Sequence, residues 1–228
     1  MTSGENTLFP IDMYRIETMG FDPPKSPANR FDQAAAAWDD KPQRVILARR
    51  VAEAIQSTLP LHNGMTALEY GCGTGLVCRA LSPLLGQVTA LDTSSNMLEQ
   101  LQNRLDEEGI ANISPLLHDL TEAPLADGPF DLIMSSMVLH HIADLPSLTA
   151  RLLALLRPGG WLAIADLAPE DGSFHDDNTG VVHHGIDPDQ LVRIFAAHGG
   201  VRAHSKEIHA MEKNGRRYPI FLAWCEKG

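Results

Sequence analysis

The residues most able to do chemistry are the run Gly71-Cys72-Gly73-Thr74-Gly75, preceded by Glu69 and by a short apolar segment. Alternate glycines let a chain turn tightly and let its backbone approach a ligand where a Cβ would collide. A helix starting behind the run would add unsatisfied N–H groups. A dinucleotide fingerprint requires glycine or alanine where Leu76 stands, so a nicotinamide oxidoreductase fits poorly. Glu69 beside the loop disfavours a pyrophosphate and favours a ligand carrying an ammonium group. Asp92 ends a second apolar segment, where a carboxylate can accept hydrogen bonds from both hydroxyls of a ribose. Asp119 ends a third, where its carboxylate and the Leu120 backbone could meet an adenine edge. Any one of these features could be a plain turn, a helix cap or a solvated loop acid. Acids at the ends of three successive strands form a pattern, because open α/β sheets bind ligands beyond the carboxyl ends of their strands.

The elements that must position these residues follow from apolar periodicity. Four prolines between Pro10 and Pro27 interrupt the start of the chain, so residues 1–40 are expected to be an appendage. Asp40 is expected to cap a helix whose apolar face is Val45, Ala48, Val51, Ala52, Ile55 and Leu59. Strands are expected at 66–70, 87–91, 112–117, 130–134 and 161–166. The helices between them follow the glycine run to about Leu85, run from Ser94 to about Glu108, and carry Leu148, Leu152, Leu155 and Leu156. Short apolar strands alternating with helices imply a parallel sheet covered on both faces. Asp187-Pro188-Asp189-Gln190 is a capping start for a helix to about His198. Two last strands, 201–211 and 216–225, join through Asn214-Gly215, a strong hairpin signal. The expected fold is α/β, a Rossmann-like, doubly wound, seven-stranded sheet, mostly parallel with an antiparallel C-terminal hairpin.

The sequence resembles the class I S-adenosylmethionine-dependent methyltransferases. The motifs are Ala67-Leu68-Glu69-Tyr70-Gly71-Cys72-Gly73-Thr74-Gly75, Leu91-Asp92, His118-Asp119-Leu120, Phe130-Asp131-Leu132-Ile133 with Leu139-His140-His141-Ile142, and Leu156-Arg157-Pro158-Gly159-Gly160, in that order. They are most similar to the small-molecule branch that includes the ubiquinone and menaquinone C-methyltransferases. The resemblance implies S-adenosylmethionine as cofactor, with Glu69, Gly71, Cys72, Gly73 and Gly75 around its methionine part. It implies Asp92 and Thr93 at the ribose, Met97 near the adenine, Asp119 and Leu120 at the adenine amine, and Ser135 facing the sulfonium. The motif of amide and base N-methylation is missing: Ser135-Ser136-Met137-Val138 stands in its place.

Methyl transfer needs in-line positioning and, for an O–H, N–H or S–H acceptor, removal of a proton. A neutral histidine can take it near pH 7. The candidates are His140 and His141 after the fourth strand, and His183 and His184 in the long segment Ala168–Gly185. The first two could equally cap a short helix or pack on adenosine. His175, His183 and His184 show no ligand spacing, so no metal is expected. Lys213, Arg216 and Arg217 flank the hairpin turn, where a solvated edge is the ordinary explanation. The acceptor pocket is expected between Ala168–Gly185 and the N-terminal segment, with Tyr14, Phe31 and Trp38 as cover.

The 228 residues are 44% apolar, enough for one domain with its own core. A net charge of −11 repels phosphate backbones and anionic bilayers, so neither nucleic acid nor membrane is an expected partner. Three cysteines make no even framework, and with no secretory signal a cytoplasmic location is expected. The reading is a methyltransferase acting on a small-molecule acceptor. The alternative is a non-catalytic protein that binds an adenosyl ligand on the same fold. Oligomeric state and the methylated atom are not legible.

Overall fold

The computed structural model describes residues 27–228, and Tyr14 lies outside them. Helices α1 (Pro27–Ala34) and α2 (Pro42–Thr58) precede the sheet. Then come β1 (Thr66–Tyr70), α3 (Leu76–Leu81), β2 (Gln87–Asp92), α4 (Ser95–Glu108), β3 (Ile113–Leu117), β4 (Phe130–Ser136), α5 (Leu145–Ala154) and β5 (Leu156–Leu167). The chain finishes with α6 (Pro188–Ala197), β6 (Gly200–Lys213) and β7 (Arg216–Lys227).

The strands form one seven-stranded sheet in the order β3-β2-β1-β4-β5-β7-β6. Neighbours from β3 to β5 pair in parallel, and β7 pairs antiparallel with both β5 and β6. The expected fold is the observed one. The order reverses between β1 and β4, so the turns after those two strands flank the crevice where such sheets bind ligands.

Both sheet faces are covered. Leu47, Val51 and Ile55 of α2 and Leu101 of α4 pack with Ala67, Val88 and Leu132 on one side. Leu148 and Leu152 of α5 and Phe195 of α6 pack with Leu68, Ile133 and Leu162 on the other. Each fully buried leucine or isoleucine contributes about 1.5–3 kcal/mol. Asn214 and Gly215 take positive φ of 53° and 71°, the geometry of a two-residue hairpin turn whose twist matches its strands. Among the described residues no helix is long and apolar enough to cross a membrane.

Three local expectations need correction. Lys41, not Asp40, precedes the first turn of α2 and makes no side-chain cap; Pro42 starts the helix, where its missing N–H goes unnoticed. Val45 is 40% exposed, because the buried stripe runs through Leu47, Ala48, Val51 and Ile55 and leaves Val45 at its rim. Leu156 belongs to a strand: α5 ends at Ala154 and β5 already pairs with Phe130 at Leu156. Pro158-Gly159-Gly160 therefore lies inside β5, where the register with β4 shifts.

Candidate active site

The glycine turn leaves β1 with Gly71, Gly73 and Gly75 at φ of 70°, 54° and 77°, conformations a side chain resists. The three differ in what surrounds them. A Cβ on Gly71 would fall 2.4 Å from Val138, and one on Gly75 would fall 2.4 Å from Leu101. A Cβ on Gly73 would meet only the Met97 sulfur, at 4.0 Å. Gly71 and Gly75 are thus required by packing within the protein, whereas the space before Gly73 is open.

Asp92, at the end of β2, holds this turn in place. Its carboxylate accepts the Gly73 N–H at 2.7 Å and the Ser94 N–H at 2.9 Å. Burial pushes its carboxyl above the usual value, and the lone pairs not taken by backbone N–H groups are left for a ligand. Thr93 is exposed beside it, and Met97 is buried in the first turn of α4, where its N–H is capped by Ser94 Oγ at 3.1 Å. Cys72 is buried, its thiol pushed well up by burial and by the charges of Asp92 and Glu69, which makes it no nucleophile. Asp119 Oδ1 accepts the backbone N–H and hydroxyl of Thr121. The adjacent Leu120 is buried, and its carbonyl accepts a hydrogen bond from Arg151. Ser135 is buried and donates to the Tyr70 carbonyl at 2.8 Å, so its hydroxyl braces β4 against the end of β1 below the turn.

Glu69 is 2% exposed and accepts the Cys78 N–H at 3.0 Å. Burial pushes its carboxyl up to about 7. A carboxyl raised in the native state stabilises the fold below its unfolded pKa and loses that contribution as pH rises through the folded value. Glu69→Gln keeps an acceptor for Cys78 without the charge, so its melting temperature should exceed wild type at pH 8. The gain, on the order of 2–3 kcal/mol, should shrink toward pH 5. Thermal melts across this range check it, and a pH-independent difference would show that the Glu69 carboxyl keeps its ordinary value in the folded protein.

A second group of residues gathers around the turn Leu139–His141. His140 is 1% exposed and Asp166, at the end of β5, is fully buried. His140 Nδ1 lies 2.7 Å from Asp166 Oδ1. The same carboxylate accepts the backbone N–H groups of His140 and Leu167. An ionised carboxylate only accepts, so the His140 proton sits on Nδ1. His141 Nδ1 lies 2.7 Å from the Gly180 carbonyl, which fixes its proton in the same way. Burial and the neighbouring His140 bring its pKa down to about 4. His175 completes a cluster, with ring centroids 5.1 Å from His140 and 6.1 Å from His141. Phe31 stands edge-on to His141, and Phe174 edge-on to His175.

The other two candidate histidines are placed differently. His183 Nε2 donates to the Ile142 carbonyl at 2.9 Å, and its backbone N–H donates to the His140 carbonyl at 3.0 Å; it braces the long loop against the turn after β4. His184 is half exposed, with Glu170 Oε1 3.6 Å from its Nδ1. The sequence reading missed Asp166 as the partner of His140, and did not join His175 to the pair. The available signal was an acid closing the fifth apolar strand.

The N-terminal residues in view cross the carboxyl edge of the sheet. Asp39 accepts the Thr74 hydroxyl at 2.6 Å, and Asp32 accepts the Ser94 hydroxyl at 2.5 Å. Arg30 donates to the carbonyls of Asp177 and Thr179 in the loop after β5. Trp38 packs on Phe31 at 5.8 Å and under the Arg44 guanidinium. The hairpin basics are more than a solvated edge: Lys213 binds Asp176 and the Phe174 carbonyl, and Arg216 pairs with Asp171. Arg217 pairs with Glu207 across the hairpin. A cavity of about 440 Å³ opens beside His141, lined by Thr121, Asp144, Ser147 and Arg151. Among the described residues no group of three or more ligating side chains is placed to hold a metal ion.

Residues 68–164 match the methyltransferase domain family. A malonyl-[acyl-carrier protein] O-methyltransferase of Serratia marcescens is 34% identical over 141 residues, 62% of this chain and 52% of that protein. An uncharacterized methyltransferase of Schizosaccharomyces pombe is 32% identical over 145 residues, 60% of this chain and 48% of its own. The chain spans about half the length of these curated relatives. Among solved structures, the DhpI complex with SAH superposes with a TM-score of 0.69 at 21% identity, covering 88% of this chain and 95% of that one. A SAM-dependent methyltransferase from Aquifex aeolicus gives 0.64 at 20% identity, covering 90% of this chain and 100% of that one. The chain is therefore similar in sequence to methyltransferase domains over residues 68–164 and shares the fold of these solved structures.

Proposed function

We propose that the protein is an S-adenosylmethionine-dependent methyltransferase that modifies a small-molecule acceptor in the cytoplasm. The observation that carries this reading is the open glycine turn fastened by its Gly73 N–H to the carboxylate of Asp92. The cofactor supplies an electrophilic methyl group on a sulfonium. Gly73 gives its methionine part room, and the remaining lone pairs of Asp92 suit two ribose hydroxyls. Glu69, close beneath the turn, favours a ligand with an ammonium group. Met97, Asp119 and Leu120 stand at the ends of the next two strands, where an adenine would follow.

On the acceptor side, His140 with Asp166 behind it is the proton acceptor. A histidine whose Nδ1–H is held by a carboxylate keeps its Nε2 lone pair available and is stabilised once protonated there. His141, held neutral, supplies a second lone pair. A protein that only bound an adenosyl ligand would have no use for this buried pair, which favours the catalytic reading. Residues 30–39 act as cover for the acceptor, reaching from Thr74 on the cofactor side to the loop at 177–179. The quinone C-methyltransferase branch suggested by the motifs and the O-methyltransferase named among the relatives differ in the atom methylated, a choice that falls to the histidines.

S-adenosylhomocysteine should bind and raise the melting temperature, because a ligand selective for the native state stabilises it by mass action. Titration calorimetry that detects no binding at millimolar ligand would sink the reading. In the same experiment Asp92→Ala should weaken binding by about ten- to a hundredfold, since hydrogen bonds to a charged partner are worth roughly 1.5–3 kcal/mol.

A further inference from the structure

The histidine cluster offers hydrogen-bond acceptors. The Asp166 carboxylate fixes the His140 proton on Nδ1, and the Gly180 carbonyl does the same for His141. In its neutral form a ring held in this way has a bare lone pair on Nε2. The third ring, His175, has its Nε2 buried with no hydrogen-bond partner among the described residues. A buried polar atom left alone is costly, so a partner brought by a ligand would be favoured there.

The nearby cations, whose charge is felt at His141 and His175, already have partners of their own. Arg30 from α1 is engaged by the carbonyls of Asp177 and Thr179, and Lys213 from β6 by Asp176 and the Phe174 carbonyl. Asp166 faces His140 from β5. The apolar rings of Phe31 and Phe174 stand against His141 and His175.

We infer that this cluster takes a neutral acceptor bearing a hydroxyl group, methylates that oxygen, and rejects carboxylates, with His175 as the residue that selects the hydroxyl. The inference rests on the methyltransferase reading above. A carboxylate brings only lone pairs and would face those of His140 and His141. A hydroxyl can donate to either ring, and it matches His175 in both tautomers because it also accepts. Burial and the neighbouring imidazoles bring the pKa of His175 down to about 4, so the ring does not become a cation that would welcome an anion at neutral pH. In the transfer the acceptor oxygen forms a bond to the methyl carbon and the carbon–sulfur bond breaks. Its electron pair goes to sulfur, giving S-adenosylhomocysteine, and the hydroxyl proton passes to His140 Nε2.

The test uses the full chain, methyl-labelled S-adenosylmethionine and a library of matched pairs, each a phenol or alcohol beside the carboxylate on the same carbon frame. Label should enter hydroxyl members and not their carboxylate partners. For the best hydroxyl member, His175→Phe should raise KM at least tenfold while kcat changes by less than about threefold and S-adenosylhomocysteine binding stays unchanged. His175→Asn, which can still donate and accept, should recover part of the lost affinity. Label in the carboxylates at equal efficiency, label in no hydroxyl member, or an unaltered KM in a folded His175→Phe protein would each overturn the inference. Failure of the wild type to bind S-adenosylhomocysteine would instead remove the methyltransferase reading beneath it, and calorimetry distinguishes the two.

Discussion

Asp166→Asn should lower kcat by about two to four orders of magnitude, the range attributed to a positioned general base, while the affinity for S-adenosylhomocysteine stays within a few fold. Asp166 accepts three protons at once: the ring N–H of His140 and the backbone N–H groups of His140 and Leu167. An asparagine has one accepting oxygen and must point its amide N–H₂ at one of these donors. With its oxygen in the place of Oδ1 it keeps the bonds from the imidazole and from Leu167, loses the one from the His140 backbone, and carries no negative charge. His140 then lacks the carboxylate that stabilises it once it has taken the acceptor's proton, and is the weaker base for it. Cofactor affinity should be spared because Asp166 touches neither the glycine turn nor Asp92. The fold should lose about 1–3 kcal/mol for the poorly matched buried group. His140→Gln, which leaves the Asp166 carboxylate and its backbone bonds in place, should show the same loss of kcat. Turnover within a few fold of wild type in both proteins would mean that the pair is structural and that no base is drawn from this turn.

The two halves of the site were not equally legible in the sequence. The cofactor half is built from contiguous signals, a glycine run and acids placed directly after apolar strands, so Gly71, Gly73, Gly75, Asp92 and Asp119 stand out by position alone. The sheet itself is equally plain, because strand and helix periods differ and the turn residues punctuate them. Long-range pairing is what stayed hidden. Asp166 and His140 are far apart in the chain and meet because β4 and β5 are neighbours in register, a fact of topology that no local window contains. His175 sits in a loop without regular structure, and it reaches the cluster because His183 and Gly180 tie that loop to the turn after β4. His183 drew attention as half of a His-His pair, yet its ring is engaged by the Ile142 carbonyl. Composition reveals which groups can exchange protons, but only packing reveals which of them already have a partner. Ser135 teaches the same lesson, since its place after β4 is visible in sequence and its bond to Tyr70 is not.

Gly73→Val should abolish cofactor binding, with S-adenosylhomocysteine affinity falling at least a thousandfold, about 4 kcal/mol, in a protein that still folds. A valine at φ of 54° sits in a left-handed conformation that strains a β-branched residue by about 1–3 kcal/mol. A domain with a core on each face of its sheet can bear that loss. Among the described residues no atom crowds the new Cβ, whose nearest neighbour is the flexible Met97 sulfur at 4.0 Å. The two valine methyls therefore project into open space, the space the methionine part of the cofactor would need. Gly71→Val is the instructive contrast. There the Cβ alone would lie 2.4 Å from Val138, so that variant should be lost to misfolding before binding can be measured. Circular dichroism melts followed by titration calorimetry separate the outcomes: Gly71→Val should fail the first measurement, and Gly73→Val should pass the first and fail the second. If Gly73→Val folds and binds S-adenosylhomocysteine as wild type does, the open face of the turn is not the cofactor's seat.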